Sequence, residues 1–274
     1  MQDPATNTNE QKAATAFSKQ SVVFDDIYAH NTIIQYKRER VRKQVQQHVQ
    51  PGKSVLELNS GTGEDAIWFA KQGYRVHATD ISEGMQQVLR KKINAEALED
   101  KITSALCSFT ELETLVNRGP YDLIFSNFAG LNCTAHLDDV LHSFAPLLKT
   151  RGIVILVILP KFCLWETLLL FKGKFKTAFR RFFNRKGTAA KVEGEYFKCW
   201  YYNPSYVIKN TSEQFDVLSV EGLCSIVPPS YIENFAEKHF RLYHWLKKRE
   251  DKYKGSWPWR NIGDYYIITL QKKG

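Results

Sequence analysis

Short apolar runs alternate with longer amphipathic ones along most of the chain. Positions 55–58, 75–79, 102–107, 121–126 and 153–159 read as short strands, continuous in apolar character rather than alternating. Between them, 64–72, 82 towards 97, and 137–148 carry helical spacing. Ser82 is a good N-cap, and Gly73 a good C-terminal stop. Strands buried on both faces and separated by helices predict a parallel sheet wrapped on both sides. A helix over 32–49, ended by Pro51-Gly52, precedes them, and residues 1 to about 20 read as a frayed arm. Beyond 159 the pattern changes. Residues 160–202 are basic and aromatic, Asn203-Pro204 opens a short helix, 215–220 is a sixth strand, 231–253 a long charged helix, and 265–270 a closing strand. The expected organisation is an N-terminal arm and helical cap (1–50), then one doubly wound domain (51–274). Insertions are expected at about 160–210 and 228–263.

Composition narrows the class. A chain of 274 residues, 43% apolar and 24% charged, suits one large globular domain and not a disordered one. The net charge of +9 favours anionic partners. The longest apolar run, 153–159, falls far short of the ~20 residues that a membrane span needs. The polar start, with no apolar h-region, argues against a secretory signal. Five scattered cysteines without C-x-x-C argue against a disulfide framework or a structural zinc, so no metal is expected and a cytoplasmic setting fits.

The candidate chemistry starts at Val55-Leu-Glu-Leu-Asn-Ser-Gly-Thr-Gly-Glu-Asp-Ala66: strand, glycine turn, helix. Gly61 and Gly63 permit a tight turn and close approach of a ligand, and the helix aims its first N–H groups into the same space. Asp80, ending the second strand, can accept hydrogen bonds from both ribose hydroxyls of a nucleoside. Glu57 would repel a pyrophosphate and suit an ammonium group; Glu64 and Asp65 compete with any phosphate at the helix start. The loop therefore suits a nucleoside without phosphates, such as S-adenosylmethionine. NAD is the rival, because Gly61-x-Gly63-x-x-Ala66 can be laid on its fingerprint. The Tyr243-x-x-x-Lys247 pair that would support NAD chemistry falls too far downstream.

The series VLELNSGTGEDA, VHATDIS, YDLIFSNF and LLKTRGIVILVIL resembles the motifs of class I S-adenosylmethionine-dependent methyltransferases, over roughly residues 24–159. The resemblance implies an α/β fold: a doubly wound, Rossmann-like seven-stranded sheet, mostly parallel with an antiparallel last strand, and insertions after strands 5 and 6. It implies S-adenosyl-L-methionine as cofactor and S-adenosyl-L-homocysteine as product. Glu57, Gly61 and Gly63 match the first motif, with Thr62 between the glycines as a further cofactor contact and Asn59 where a glycine usually stands; Asn tolerates left-handed backbone. By the same resemblance Asp80 holds the ribose, and Ile81 and Met85 cover the adenine. Ser108 and Phe109 lie at the adenine edge, where an acid is common. Ser126, Asn127 and Phe128 lie near the reacting methyl, and Tyr28 and Tyr36 close over the cofactor. Core packing is the competing reading for Met85, Phe109 and Phe128.

Methyl transfer needs an aligned nucleophile, exclusion of water and sometimes a base. Glu166 and His136 are the base candidates, followed by Tyr201 and Tyr202; Trp165 and Leu168 should bury Glu166 and raise its pKa. Residues 161–191 hold nine basic residues against that one acid. Phe175, Ala178, Phe179 and Phe182 share a helical face, which predicts a basic amphipathic helix acting as a lid. Three readings stay open: a lid packed on its own core, a lid for an anionic or lipid-like acceptor at an anionic membrane surface, or a nucleic-acid contact. The third is weakest, because Ser126-Asn-Phe-Ala129 lacks the Asn-Pro-Pro-Tyr-type tetrad used on base amino groups. The second insertion, rich in Trp and Tyr, would wall the acceptor pocket or form a dimer contact. The expected activity is methyl transfer to a small-molecule or lipid-like acceptor, at oxygen. An RNA methyltransferase and a non-catalytic nucleoside-binding module are the alternatives.

Overall fold

Three helices precede the first strand: α1 (Pro4–Gln20), α2 (Phe24–Ala29) and α3 (Thr32–His48). The computed structural model describes residues 4–182, 186–232 and 234–274. Arg185, one of the basic residues of the first insertion, lies outside the described residues. The alternation then runs β1 (Ser54–Leu58), α4 (Glu64–Lys71), β2 (Arg75–Asp80), α5 (Glu83–Ala95), β3 (Ile102–Leu106), β4 (Tyr121–Ser126), α6 (Leu137–His142) and β5 (Leu148–Ile158). The first insertion carries α7 (Leu164–Leu168), α8 (Phe175–Phe179) and a hairpin, β6 (Thr188–Val192) and β7 (Glu195–Cys199). The rest is α9 (Pro204–Thr211), β8 (Phe215–Leu223), α10 (Phe235–Lys238), α11 (Phe240–Tyr253) and β9 (Tyr265–Lys272).

The main sheet has seven strands in the order β3-β2-β1-β4-β5-β9-β8. Neighbours from β3 to β5 pair in parallel, and β9 runs antiparallel to both β5 and β8. The sheet is the predicted one: mostly parallel with an antiparallel final strand. Successive side chains leave a strand on opposite faces. Leu56 and Leu58 accordingly pack with Ile124 and Val154 in one core, and Val55 with Phe69, Leu123 and Ile155 in the other. The ladder order reverses between β1 and β4, so a crevice opens at the C-terminal ends of those strands. Among the described residues, no helix is long and apolar enough to cross a membrane.

Several expectations need correction. The N-terminal arm is a helix: α1 packs Ala13 and Ala16 against Cys133 and Phe197. The helix expected over 137–148 stops at His142, and β5 starts at Leu148. Pro146 lacks the N–H that a continuing helix needs, and only a short 3-10 turn fits there. The long helix expected over 231–253 is α10 and α11, broken at His239. The β6–β7 hairpin was not expected; Glu193 and Gly194, both at positive φ, make its two-residue turn without the usual Asn-Gly signal. The predicted amphipathic helix is only five residues long, and its Phe face is not buried: Phe175, Phe179 and Phe182 are exposed, with Phe182 against the Phe162 and Phe179 rings, while Ala178 is buried.

Candidate active site

The turn from β1 to α4 is left-handed at Asn59, Gly61 and Gly63, with φ of 45°, 55° and 84°. Asn59 adopts the backbone that its place in the motif requires, and its side chain ties the turn to the end of β4. Its Oδ1 accepts from Ser126 Oγ at 3.1 Å, and its Nδ2 donates to the Asn127 carbonyl at 3.3 Å. Asp80 braces the other side. Its Oδ2 accepts from the Gly61 N–H at 2.9 Å and its Oδ1 from the Ser82 N–H at 2.8 Å. Burial pushes the Asp80 carboxyl up, against the pull of those backbone donors.

Above this turn lies a cavity of about 130 Å³. Of the expected cofactor residues, Asn59, Gly61, Asp80 and Ile81 line it. Met85, Phe109, Asn127 and Phe128 line it too. Asn127 is held by the helix that follows the turn: its Nδ2 donates to Asp65 Oδ2 at 2.8 Å. Asp65 also takes Arg42 at 2.8 Å and Arg38 at 3.4 Å, and these cations hold its carboxyl below the usual range despite burial. Arg38 in turn stacks over the Phe128 ring at 4.9 Å.

The roof is what the sequence reading missed. Glu10, Ala13, Ala14 and Phe17 of α1, with Phe24 of α2, close the cavity, and Gly130 and Cys133 complete it. Asn9 fastens α1 to the first insertion: its Nδ2 donates to the Cys133 carbonyl at 2.8 Å, and its Oδ1 accepts from the Lys198 N–H at 2.7 Å. The signal for this helix was the spacing of Ala13, Ala16 and Phe17, which places three apolar residues on one face.

Other expected residues stand beside the cavity rather than on it. Glu57 is buried behind the turn; burial, with Asp65 nearby, raises its carboxyl well above the usual range, and its Oε2 has no hydrogen-bond partner among the described residues. Thr62 donates to Asp25 at 2.6 Å, Gly63 packs against Leu89, and Ser126 serves Asn59. Ser108 donates to Glu10 at 2.9 Å. Tyr28 lines a neighbouring groove with Arg38 and Glu64. Tyr36 does not close over the turn: it packs edge-on against Tyr243 and accepts from Arg40 at 2.9 Å, buttressing α3 against the second insertion.

Neither base candidate reaches the cavity. His136 is half exposed, with Nδ1 3.7 Å from Asp139. Glu166 is buried as expected, but its carboxyl is lowered, not raised. Arg180 donates to it at 2.8 and 2.5 Å and Arg181 at 2.6 Å, and this charge pairing outweighs desolvation. Arg181 continues to Asp264 at 2.9 Å, which Lys37 also meets at 2.8 Å. Cys163, Glu166 and Asp264 lie close enough together for a metal, yet both carboxylates already face cations. Tyr201 lies under the Arg181 guanidinium, and Tyr202 donates to the Thr134 carbonyl at 2.6 Å. Among the described residues, the second insertion contributes nothing to the cavity lining; its Glu250 is buried and accepts from the Cys224, Ile226 and Val227 N–H groups.

Residues 55–152 match the family described as a methyltransferase domain. That match takes in about a third of the chain. It spans β1 to the start of β5 and so contains the glycine turn, Asp80 and the end of β4. A demethylmenaquinone methyltransferase of Bacteroides fragilis is 34% identical over 107 residues, 38% of this chain and 42% of that protein. The match thus spans under half the length of that curated relative. Two solved structures share the fold. A 1,6-didemethyltoxoflavin-N1-methyltransferase of Burkholderia thailandensis, with bound 1,6-didemethyltoxoflavin and S-adenosylhomocysteine, superposes with a TM-score of 0.60 at 13% identity, covering 100% of this chain and 93% of that one. A geranyl diphosphate C-methyltransferase of Streptomyces coelicolor A3(2) gives 0.56 at 13% identity, covering 86% and 78%. The turn after β1 and the end of β4, which flank the crevice, both fall within the matched residues.

Proposed function

We propose that the chain binds S-adenosylmethionine in this cavity and transfers its methyl group to a small-molecule or lipid-like acceptor. The observation that carries the reading is the convergence of Gly61, Asp80 and Met85 on one cavity roofed by an apolar helix. The site suits such a ligand. The Gly61 Cα faces open space, Asp80 keeps unshared lone pairs for ribose hydroxyls, and Ile81 and Met85 offer an apolar face to a purine. When bound, the cofactor would supply an electrophilic methyl on a sulfonium. The chain's own part is positioning: Asn127, oriented by Asp65, and Phe128, stacked under Arg38, shape the end of the cavity at β4. With Glu166 and His136 both off the cavity, catalysis rests on alignment and exclusion of water rather than on a strong base.

The similarity to a demethylmenaquinone methyltransferase and to a geranyl diphosphate C-methyltransferase supports an apolar acceptor. Methylation at oxygen is the reading kept for the atom. The first insertion adds a second line of support: Leu168, Phe171, Phe175, Phe179 and Phe182 are exposed, beside exposed Lys172, Lys174 and Lys176. Such a patch suits contact with an anionic membrane surface that would hold the acceptor. The test is release of S-adenosylhomocysteine from purified protein offered quinol, prenyl and phenolic acceptors. Cofactor binding without turnover on any of them, or turnover on RNA instead, would remove this reading.

A further inference from the structure

At the end of β3, where relatives by resemblance carry an acid against the adenine edge, this chain has Ser108. A carboxylate nevertheless occupies that place, delivered from 98 residues earlier in the chain. Glu10 of α1 is only 5% exposed. Its Oε2 accepts from Ser108 Oγ at 2.9 Å and from Thr110 Oγ1 at 2.9 Å. Its Oε1 is buried and has no hydrogen-bond partner among the described residues. Glu10 lines the same cavity as Ile81, Met85 and Phe109. A buried acceptor without a partner, on a residue that lines the cavity and whose twin oxygen is held by two hydroxyls, can take a donor once a ligand fills that cavity.

We propose that Glu10 is the residue that reads the adenine, its Oε1 accepting the exocyclic amino group while Ser108 and Thr110 fix its orientation. The assignment rests on the cofactor reading above. Burial raises the Glu10 carboxyl against the pull of the Thr110, Ser108 and Thr134 hydroxyls, and a donor bound at the cavity would oppose that rise. Because the acid rides on the roof helix, base recognition and closure of α1 are one event. Asn9 clamps α1 to the first insertion one residue away, and Ser18 meets Ser82 Oγ at 2.7 Å at the other end. Base selectivity would therefore depend on docking of the N-terminal helix and not only on the sheet.

The experiment compares binding of S-adenosylhomocysteine and S-inosylhomocysteine, in which a carbonyl replaces the amino group, by calorimetry on the full chain. Wild type should prefer the adenosyl ligand at least about tenfold, the worth of a hydrogen bond to a charged acceptor. Glu10→Gln, whose amide can turn its N–H₂ to the carbonyl, should narrow that preference to within about threefold. Glu10→Ala should weaken the adenosyl ligand and abolish the preference. Ser108→Ala gives the same narrowing through lost orientation and serves if the Glu10 variants do not fold. A purely structural role would weaken both ligands alike and leave the preference intact, which overturns the assignment while the cofactor reading stands. Wild type that binds neither ligand overturns both.

Discussion

Asp80 Oδ2 accepts from the Gly61 N–H at 2.9 Å, so the acid that ends β2 also holds the glycine turn that follows β1. The two halves of the site are one mechanical unit. Asp80→Ala should therefore remove a ribose acceptor and loosen the turn together, weakening S-adenosylmethionine binding by more than about tenfold. Calorimetry reads this directly, and an unchanged affinity would rule out the ribose assignment.

The two glycines of the turn separate binding from stability. A Cβ on Gly61 would meet nothing within 4 Å, whereas one on Gly63 would lie 2.2 Å from Leu89 Cδ1. Both positions have positive φ and share its strain, roughly 1 kcal/mol or somewhat more. Gly63→Ala adds overpacking and should cost about 2–4 kcal/mol in urea unfolding. Gly61→Ala should lose less stability but more ligand affinity, because its methyl would project into the cavity mouth.

Glu57 is held at a cost. Its folded pKa lies above the unfolded value, so stability is lost as pH rises from the unfolded pKa through the folded one. Glu57→Gln removes that loss. The variant should melt higher than wild type at pH 7.5, with the gap closing towards pH 4, where wild type is protonated in both states. Thermal scans across that range test it; a variant that melts lower at pH 7.5 would show the carboxylate to be stabilising.

Glu166 behaves in the opposite sense. Its folded pKa is depressed, and that of Asp264 likewise, so their contribution is present above the unfolded values and lost as pH falls through the folded ones. Glu166→Gln should leave Arg181, only 2% exposed, partly unpaired, and cost about 3–5 kcal/mol at pH 7. Acid unfolding of the wild type should begin below about pH 4, and the variant should lack part of that transition.

The membrane contact is tested at the exposed lysines alone, since Arg180 and Arg181 are engaged with Glu166. Changing Lys172, Lys174 and Lys176 to Glu should abolish co-sedimentation with phosphatidylserine vesicles while leaving melting temperature unchanged. Unchanged sedimentation would leave the exposed phenylalanines without that partner.

The βαβ alternation was legible because buried parallel strands are short and continuously apolar, and because Gly61, Gly63 and Asp80 stand at its strand ends. Asn59 was readable as a left-handed residue from its place in the motif. Glu166 misled because its apolar neighbours in sequence suggested an isolated carboxylate. Its partners Arg180 and Arg181 lie 14 and 15 residues on, and only the fold of α7 against α8 brings them together. The roof was missed because a polar first segment resembles an arm; its few small apolar residues become a packed face only once Phe197 and Cys133 lie opposite.

Local patterning determined the alternating strands and helices, the glycine turn and the acid that ends β2, because these follow from the two-residue and 3.6-residue periods and from short motifs, while the order of the seven strands came from the resemblance. Tertiary structure alone decided which element closes the cavity, which carboxylate faces it, and which arginines silence Glu166. Those outcomes come from pairings such as Glu10 with Ser108, 98 residues apart, whose geometry no local period encodes.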